Sequence, residues 1–239
     1  AKENLLLNKK LGNIETELVR LKQAIVELAE FDSKLRVASA MELVPREIRE
    51  MGIGGVAAVN WADQNDNLSQ IENTIAELTR KCHFQKQSFA QIERHLQQQK
   101  NMLNHTPSIW PVGGWVSSGY GYRRDPFTGR WVMHNGIDIV APPGTPIVAT
   151  ADGRVCFVGV RPGYGKVIEI GHGYGYLTFY GHCTSIRKGY GEKVKRGEVI
   201  ATVGRTGRTT GYHLHYGVKV AGFWVNPLNY ILDNYAIAD

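Results

Sequence analysis

Five side chains in the C-terminal half of the chain have the types and spacing of a metal site. His134-Asn135-Gly136-Ile137-Asp138 sets an imidazole and a carboxylate four residues apart, and His213-Leu214-His215 sets two imidazoles two apart in an apolar, aromatic stretch. On a strand, residues i and i+2 share a face, so His213 and His215 are expected to look into one cavity while Leu214 packs into the other side of a sheet. His182 adds an imidazole just after the run 176–180, with Gly181 before it. Two His and one Asp make three zinc ligands and leave a fourth position open to water, the pattern of a catalytic rather than a structural site. Neither HxxxD nor HxH is specific alone; the signal is their occurrence together in one Gly-rich stretch. His172, in Gly171-His172-Gly173, reads as structural or solvent-facing, and His83, His95 and His105 read as solvated helix residues.

The elements that must position these groups are short. From Trp110 onward, apolar alternations at 146–149, 153–158, 166–170 and 176–180 predict strands of a small antiparallel sheet. Asp152-Gly153 and Lys188-Gly189 supply turns between them, and Asn226-Pro227 ends the last strand. No large helix is expected there.

The first half reads differently. Leu7, Leu11, Ile14, Leu18, Leu21, Ile25, Leu28 and Leu35 recur at alternating steps of four and three, interrupted by Asp32 at a seam position. A second run of the same kind comprises Leu68, Ile71, Ile75, Leu78, Cys82, Phe89, Ile92, Leu96 and Leu103, with Gln85 and Gln99 at two seam positions. Both are heptad seams of long helices. Pro45 and the run Gly52, Gly54, Gly55 break the helix between them, which predicts an antiparallel helical hairpin, a coiled coil acting as spacer, dimeriser or regulatory arm. The expected domains are therefore 1–105, the coiled-coil hairpin, and 106–239, a β-rich antiparallel-sheet domain, an α+β chain overall.

Composition follows the same boundary. The chain has 239 residues and a net charge of +6; residues 1–105 hold 14 basic and 14 acidic side chains, residues 106–239 hold 14 and 8. No window approaches the ~18 unbroken apolar residues of a spanning helix. The three cysteines, Cys82, Cys156 and Cys183, are too few and too scattered for a disulfide framework or a CxxC zinc site. The basic residues lie in loops with no nucleic-acid recognition motif, which suits attraction to an anionic wall polymer as well as any other role. The chain begins at Ala1 rather than Met, and a processed product whose targeting segment lies outside it is expected.

The order of motifs resembles a known family. His134-x-x-x-Asp138, then Ala-Pro-Pro-Gly-Thr-Pro and Ala-Asp-Gly, Tyr180-Gly181-His182, the stretch from Gly197 to Gly207, and Gly211-Tyr212-His213-Leu214-His215 are similar to the LytM/lysostaphin-type zinc metallopeptidases that cut peptidoglycan peptides, over about 115–229. Two positions depart from that pattern: Tyr212 where Pro is usual and Cys183 where Leu is common. The resemblance implies that His134, Asp138 and His215 bind Zn2+, that His182 and His213 are the catalytic histidines, and that Arg123 and Tyr122 line the groove. It implies a zinc-dependent endopeptidase that hydrolyses peptide cross-links of bacterial peptidoglycan through a metal-activated water. No Glu accompanies the motifs as in HExxH proteases, so the proton carriers are His182 and His213, whose ordinary pKa of ~6.5 suits either role. Which of them is the base stays open. The alternative is a non-catalytic LytM-like regulator that activates a cell-wall amidase through its coiled-coil arm; such regulators lack several ligands, and here all five groups are present. The implied setting is the cell envelope, periplasmic or extracellular, with a tether to the inner membrane in a segment absent from this chain. Peptidoglycan peptides are the expected partners, with self-association or an envelope protein bound through the hairpin. A Gly–Gly bridge and a D-Ala–diaminopimelate cross-link both suit the chemistry, and the long polar hairpin favours the second by family analogy.

Overall fold

The computed structural model describes residues 2–51 and 67–232. They fall into two compact units, 1–99 and 100–239. The first is helical: α1 (Lys2–Ala38), the short α2 (Arg46–Met51) and the greater part of α3 (Asn67–His105). Among the described residues, no helix is long and apolar enough to cross a membrane.

The helical seams form, but they run in the same direction. Asp32 meets Ser88, Arg36 meets Gln91, and the Ser39 carbonyl meets His95, so each step along α1 is matched by a step the same way along α3. The helices are parallel, which corrects the antiparallel hairpin. A heptad stripe carries no polarity of its own, and the residues between the helices are numerous enough to return the chain along α1, whose rise is ~1.5 Å per residue. The turn expected at Gly52, Gly54 and Gly55 lies outside the described residues.

The residue that interrupts the seam is bonded to both other helices. Asp32 is fully buried. Its carboxylate accepts from Ser88 Oγ of α3 at 2.5 Å, from Arg49 Nη2 of α2 at 2.7 Å and from Arg36 Nε at 3.3 Å. Arg36 in turn donates to Ser88 Oγ at 2.6 Å and Gln91 Oε1 at 2.9 Å. A buried polar group at a seam position specifies register because other registers leave it unpaired.

The second unit is the predicted antiparallel sheet. Strands β1 (Trp115–Ser118), β4 (Ile137–Val140), β6 (Gly153–Arg161), β7 (Gly165–Gly173), β8 (Tyr176–Gly181), β9 (Lys193–Val194), β11 (His213–Val220) and β12 (Phe223–Val225) form one sheet in the order β1-β4-β11-β8-β7-β6-β9, with β12 beside β11. Two ribbons complete the domain: β2 (Gly121–Arg124) with β3 (Trp131–His134), and β5 (Pro146–Val148) with β10 (Val199–Thr202). Asn226 caps a single 3-10 turn at Pro227–Asn229.

One face of the large sheet carries the core, in which Ile137, Ile139, Ile168, Ile170, Leu214 and Tyr216 are all fully buried. A polar chain crosses this core. Tyr216 Oη donates to Thr150 Oγ1 at 3.0 Å, Tyr180 Oη lies 3.1 Å from Thr150 Oγ1 and Thr178 Oγ1, and Thr178 Oγ1 lies 2.7 Å from His172 Nε2. His172 Nδ1–H donates to the Asp152 carbonyl at 2.9 Å, so this histidine is structural, as its turn-like context allowed. The opposite face, carrying Asp138, His213, His215 and Phe179, is the one available for chemistry.

Asp32→Ala leaves the Arg36 and Arg49 guanidiniums without their shared partner and should destabilise the helical unit by about 3–5 kcal/mol, read from thermal or urea unfolding followed by helical circular dichroism. Burial lowers the His172 pKa to about 4, against the bond to the Asp152 carbonyl, which raises it. An unfolded histidine titrates near 6.5, so the unfolded chain takes up the proton first as pH falls. The stability that neutral His172 contributes is complete above about pH 6.5 and is lost toward pH 4, on the order of 3 kcal/mol. Unfolding free energies measured from pH 7 to pH 4 should show this decline, and His172→Gln should flatten it.

Candidate metal centre

Strand pairing brings the first three groups together. In the β4–β11 ladder His215 lies directly opposite Asp138, and both project to the face away from Ile137, Ile139, Leu214 and Tyr216. His134 ends β3, and the turn through Asn135 and Gly136 carries the chain into β4. That turn needs glycine: a Cβ on Gly136 would sit 2.4 Å from the Tyr216 carbonyl oxygen and 2.9 Å from the His215 ring.

The result is a buried triangle of ligand atoms. His134 Nε2 lies 3.1 Å from Asp138 Oδ1 and 3.1 Å from His215 Nδ1, and His215 Nδ1 lies 2.9 Å from Asp138 Oδ1. These three are, among the described residues, the group whose atoms converge closely enough to hold a metal ion. His134 Nδ1–H donates to the Gly119 carbonyl at 2.7 Å, which leaves Nε2 as a bare acceptor facing the Asp138 carboxylate when the ring is neutral. Acceptors crowded in this way call for a cation. Bonds of about 2.0–2.1 Å in tetrahedral geometry space ligand atoms by about 3.3 Å, so the triangle fits zinc. His215 Nε2 is buried with no hydrogen-bond partner, which leaves Nδ1 as the atom of that ring engaged in the cluster.

The surroundings keep the carboxylate ionised. Burial raises the Asp138 pKa, but the contacts with His134 and His215 outweigh it and hold the carboxyl well below its ordinary range. Asp138 Oδ2 accepts from Arg123 Nη2 at 3.0 Å, leaving Oδ1 for the triangle. Burial, the largest influence on His215, lowers its pKa, so the ring is neutral as a ligand must be.

His182 and His213 form a second pair beside the triangle, with ring centroids 4.6 Å apart. His182 sits just past β8 in the left-handed region, φ 62°, a conformation that costs a non-glycine residue energy and is concentrated at functional sites. It is held there: its N–H donates to the Tyr164 carbonyl at 2.7 Å and its Nδ1–H to the Thr206 carbonyl at 2.7 Å. Burial first, offset by that bond to Thr206, lowers the His182 pKa to about 4. His213 Nδ1 lies 3.0 Å from both Thr209 Oγ1 and the Gly211 carbonyl, and its Nε2 lies 3.7 Å from Asp138 Oδ1. Both rings are therefore anchored through Nδ1 and keep Nε2 for the cleft.

All five groups line one cleft of about 280 Å3, together with Arg123, Tyr164 and Arg208. Tyr122 does not line it and is 77% exposed, so of the two groove residues implied by the resemblance only Arg123 reaches the site. Tyr164, Thr206 and Thr209 escaped the sequence reading. The Tyr164 ring stands 4.9 Å from that of His215 and 6.2 Å from that of His182. The one signal was the pair of glycines around it: Gly165 has φ 66°, and a Cβ there would meet Thr206 at 2.4 Å, so the β6–β7 turn interlocks with the loop that orients His182.

Residues 132–227 match Peptidase family M23. The DD-carboxypeptidase/endopeptidase Mpg of Neisseria meningitidis serogroup B is 42% identical over 135 residues, 56% of this chain and 30% of that protein. The peptidoglycan DD-endopeptidase ShyB of Vibrio cholerae is 44% identical over 106 residues, 44% of this chain and 25% of that protein. The murein hydrolase activator NlpD of Salmonella dublin is 39% identical over 123 residues, 51% of this chain and 30% of that protein. A zinc-containing peptidase of Vibrio cholerae of known structure is 40% identical, covering 52% of this chain and 39% of that one with a TM-score of 0.47. The chain thus spans less than a third of the length of these curated relatives. Residues 132–227 match peptidase family M23 over the antiparallel sheet that carries the motifs.

Proposed function

We propose that the chain is a zinc-dependent endopeptidase that hydrolyses peptide cross-links of peptidoglycan in the bacterial envelope. The observation that carries this reading is the buried triangle of His134 Nε2, Asp138 Oδ1 and His215 Nδ1, with the His182 and His213 rings over the same cleft. His134, Asp138 and His215 would hold the ion, which when bound would supply Lewis-acid polarisation of the scissile carbonyl and a lowering of the pKa of water to about 7.

The chain's own groups do the rest. Arg123 holds Asp138 through Oδ2 and keeps Oδ1 aimed inward. The Thr206 carbonyl keeps the proton of His182 on Nδ1, and Thr209 with Gly211 anchors His213 in the same way. One Nε2 accepts the proton of the attacking water and the other serves the oxyanion or the departing amine, an exchange worth about 10²–10⁴ in rate. As substrate we propose the cross-link between D-amino-acid residues, because the Neisseria and Vibrio relatives carry DD-endopeptidase names.

The similarity to NlpD supports a second reading, an activator of a separate murein hydrolase. Purified peptidoglycan incubated with the purified chain distinguishes them. Release of peptides from cross-linked material by the chain alone supports the peptidase; release of glycan-free peptides only when an amidase is added supports the activator.

Substitutions test the roles. His134→Ala, Asp138→Ala or His215→Ala should abolish zinc retention, measured by elemental mass spectrometry, whereas His182→Ala or His213→Ala should keep zinc and lose hydrolysis at least about 100-fold. Full activity in either of the last two variants would overturn the assignment. Gly136→Ala should weaken zinc retention about 10–100-fold in a chelator competition, because the new methyl displaces His215.

A further inference from the structure

Among the described residues, the helical unit has an apolar face that is half exposed. Leu7, Ile14, Leu21 and Leu28 form a row along α1 at heptad spacing, and Leu68, Ile75 and Leu96 form a row along α3; all are between 43% and 59% exposed. The two rows lie on one side of the helix pair. Phe31, adjacent to the Leu28 row, meets Phe89 of the α3 row with ring centroids 6.3 Å apart. The opposite side is the one α2 occupies, where Arg46 and Arg49 line a cleft with Val26, Ala29 and Phe84. The parallel pair thus spends only half of each heptad seam: Ile25, Asp32, Ile71, Leu78, Gln85 and Ile92 are buried between the helices, and the other half faces outward.

We infer that this face is where a second copy of the chain packs, so that the two helix pairs close into a four-helix bundle about a two-fold axis. Extent is the first argument. With Phe31, the two rows expose on the order of 700 Å2 of apolar surface per chain, beyond the patches usual on monomers and close to the ~800 Å2 that each partner contributes to a standard interface. Spacing is the second. Both rows keep the seven-residue repeat that lets knobs of one helix enter holes of another, and an isologous contact needs only one surface that complements itself. Charge is the third. The rim residues alternate in sign, Lys10, Glu17, Arg20, Glu27 and Lys34 beside the α1 row and Glu72, Lys86 and Glu93 beside the α3 row, and their charges cancel. A rim of balanced charge meets its own copy without net repulsion and offers no net field to a strongly acidic or basic partner.

Sedimentation and light scattering of the whole chain test this. The wild type should weigh twice its 26.6 kDa at micromolar concentration. Leu21→Lys with Ile75→Lys, two side chains already half exposed, should give the monomer mass with unchanged helical circular dichroism and weaken association at least about ten-fold. Ile14→Glu with Leu68→Glu, read in the same way, provides a second pair should the first lose helicity. Val19→Lys, on the flank of α1 away from both rows and 69% exposed, should leave the dimer intact. A wild type that stays at 26.6 kDa throughout, as expected if the face serves a different protein, would overturn the proposal, as would a dimer indifferent to both pairs or dissociated equally by Val19→Lys.

Discussion

The second unit is organised around one register: His215 opposite Asp138 in the β4–β11 ladder. A shift of one residue would send both side chains into the apolar core and bring Ile139 and Leu214 to the cleft, because side chains alternate along a strand. The core prevents that slip. Ile137, Ile139, Leu214 and Tyr216 are buried on the other face, so the packing that stabilises the sheet also fixes which face carries the ligands. His134 Nε2, Asp138 Oδ1 and His215 Nδ1 are thereby held about 3 Å apart, and the surrounding contacts leave these atoms facing one another: the Gly119 carbonyl on His134, Arg123 on the outer oxygen of Asp138, and burial on His215.

The second pair of imidazoles is held by different means. His213 shares β11 with His215, but its ring is anchored from the loop before the strand, by Thr209 and Gly211. His182 stands at a strand end in a left-handed conformation, held by the β6–β7 turn through Tyr164 and by the loop through Thr206. Rigid ladders thus set the ligand atoms, and interlocked loops set the groups that would move protons. Precise placement of this kind matters because catalytic gains from orientation fall steeply with small displacements.

Much of this was legible in the sequence, for identifiable reasons. The HxxxD and HxH spacings and the alternation of Leu214 with its neighbours are local, and local spacing on a strand determines facing. The strands at 153–158, 166–170 and 176–180 lie within β6, β7 and β8 as found. Tyr164 and Thr206 were not legible, because they act through backbone carbonyls and ring contacts across chain separations that no pattern encodes, and Thr209, four residues before His213, acts through a hydroxyl that no spacing rule marks. Helix direction was misread for a related reason. Heptad spacing gives the rows that bury, and the direction of the second helix shows only in contacts between residues remote in sequence: Asp32 with Ser88, Arg36 with Gln91 and Ser39 with His95.

Anomalous diffraction at the zinc edge from crystals of the zinc-loaded chain tests whether three atoms hold the ion. One strong peak is expected in the second unit, about 2.0–2.1 Å from His134 Nε2, Asp138 Oδ1 and His215 Nδ1, with His182 and His213 outside bonding distance. A peak bonded to His182 or His213 in place of one of those three, or no zinc in the cleft at saturating metal, would contradict that assignment.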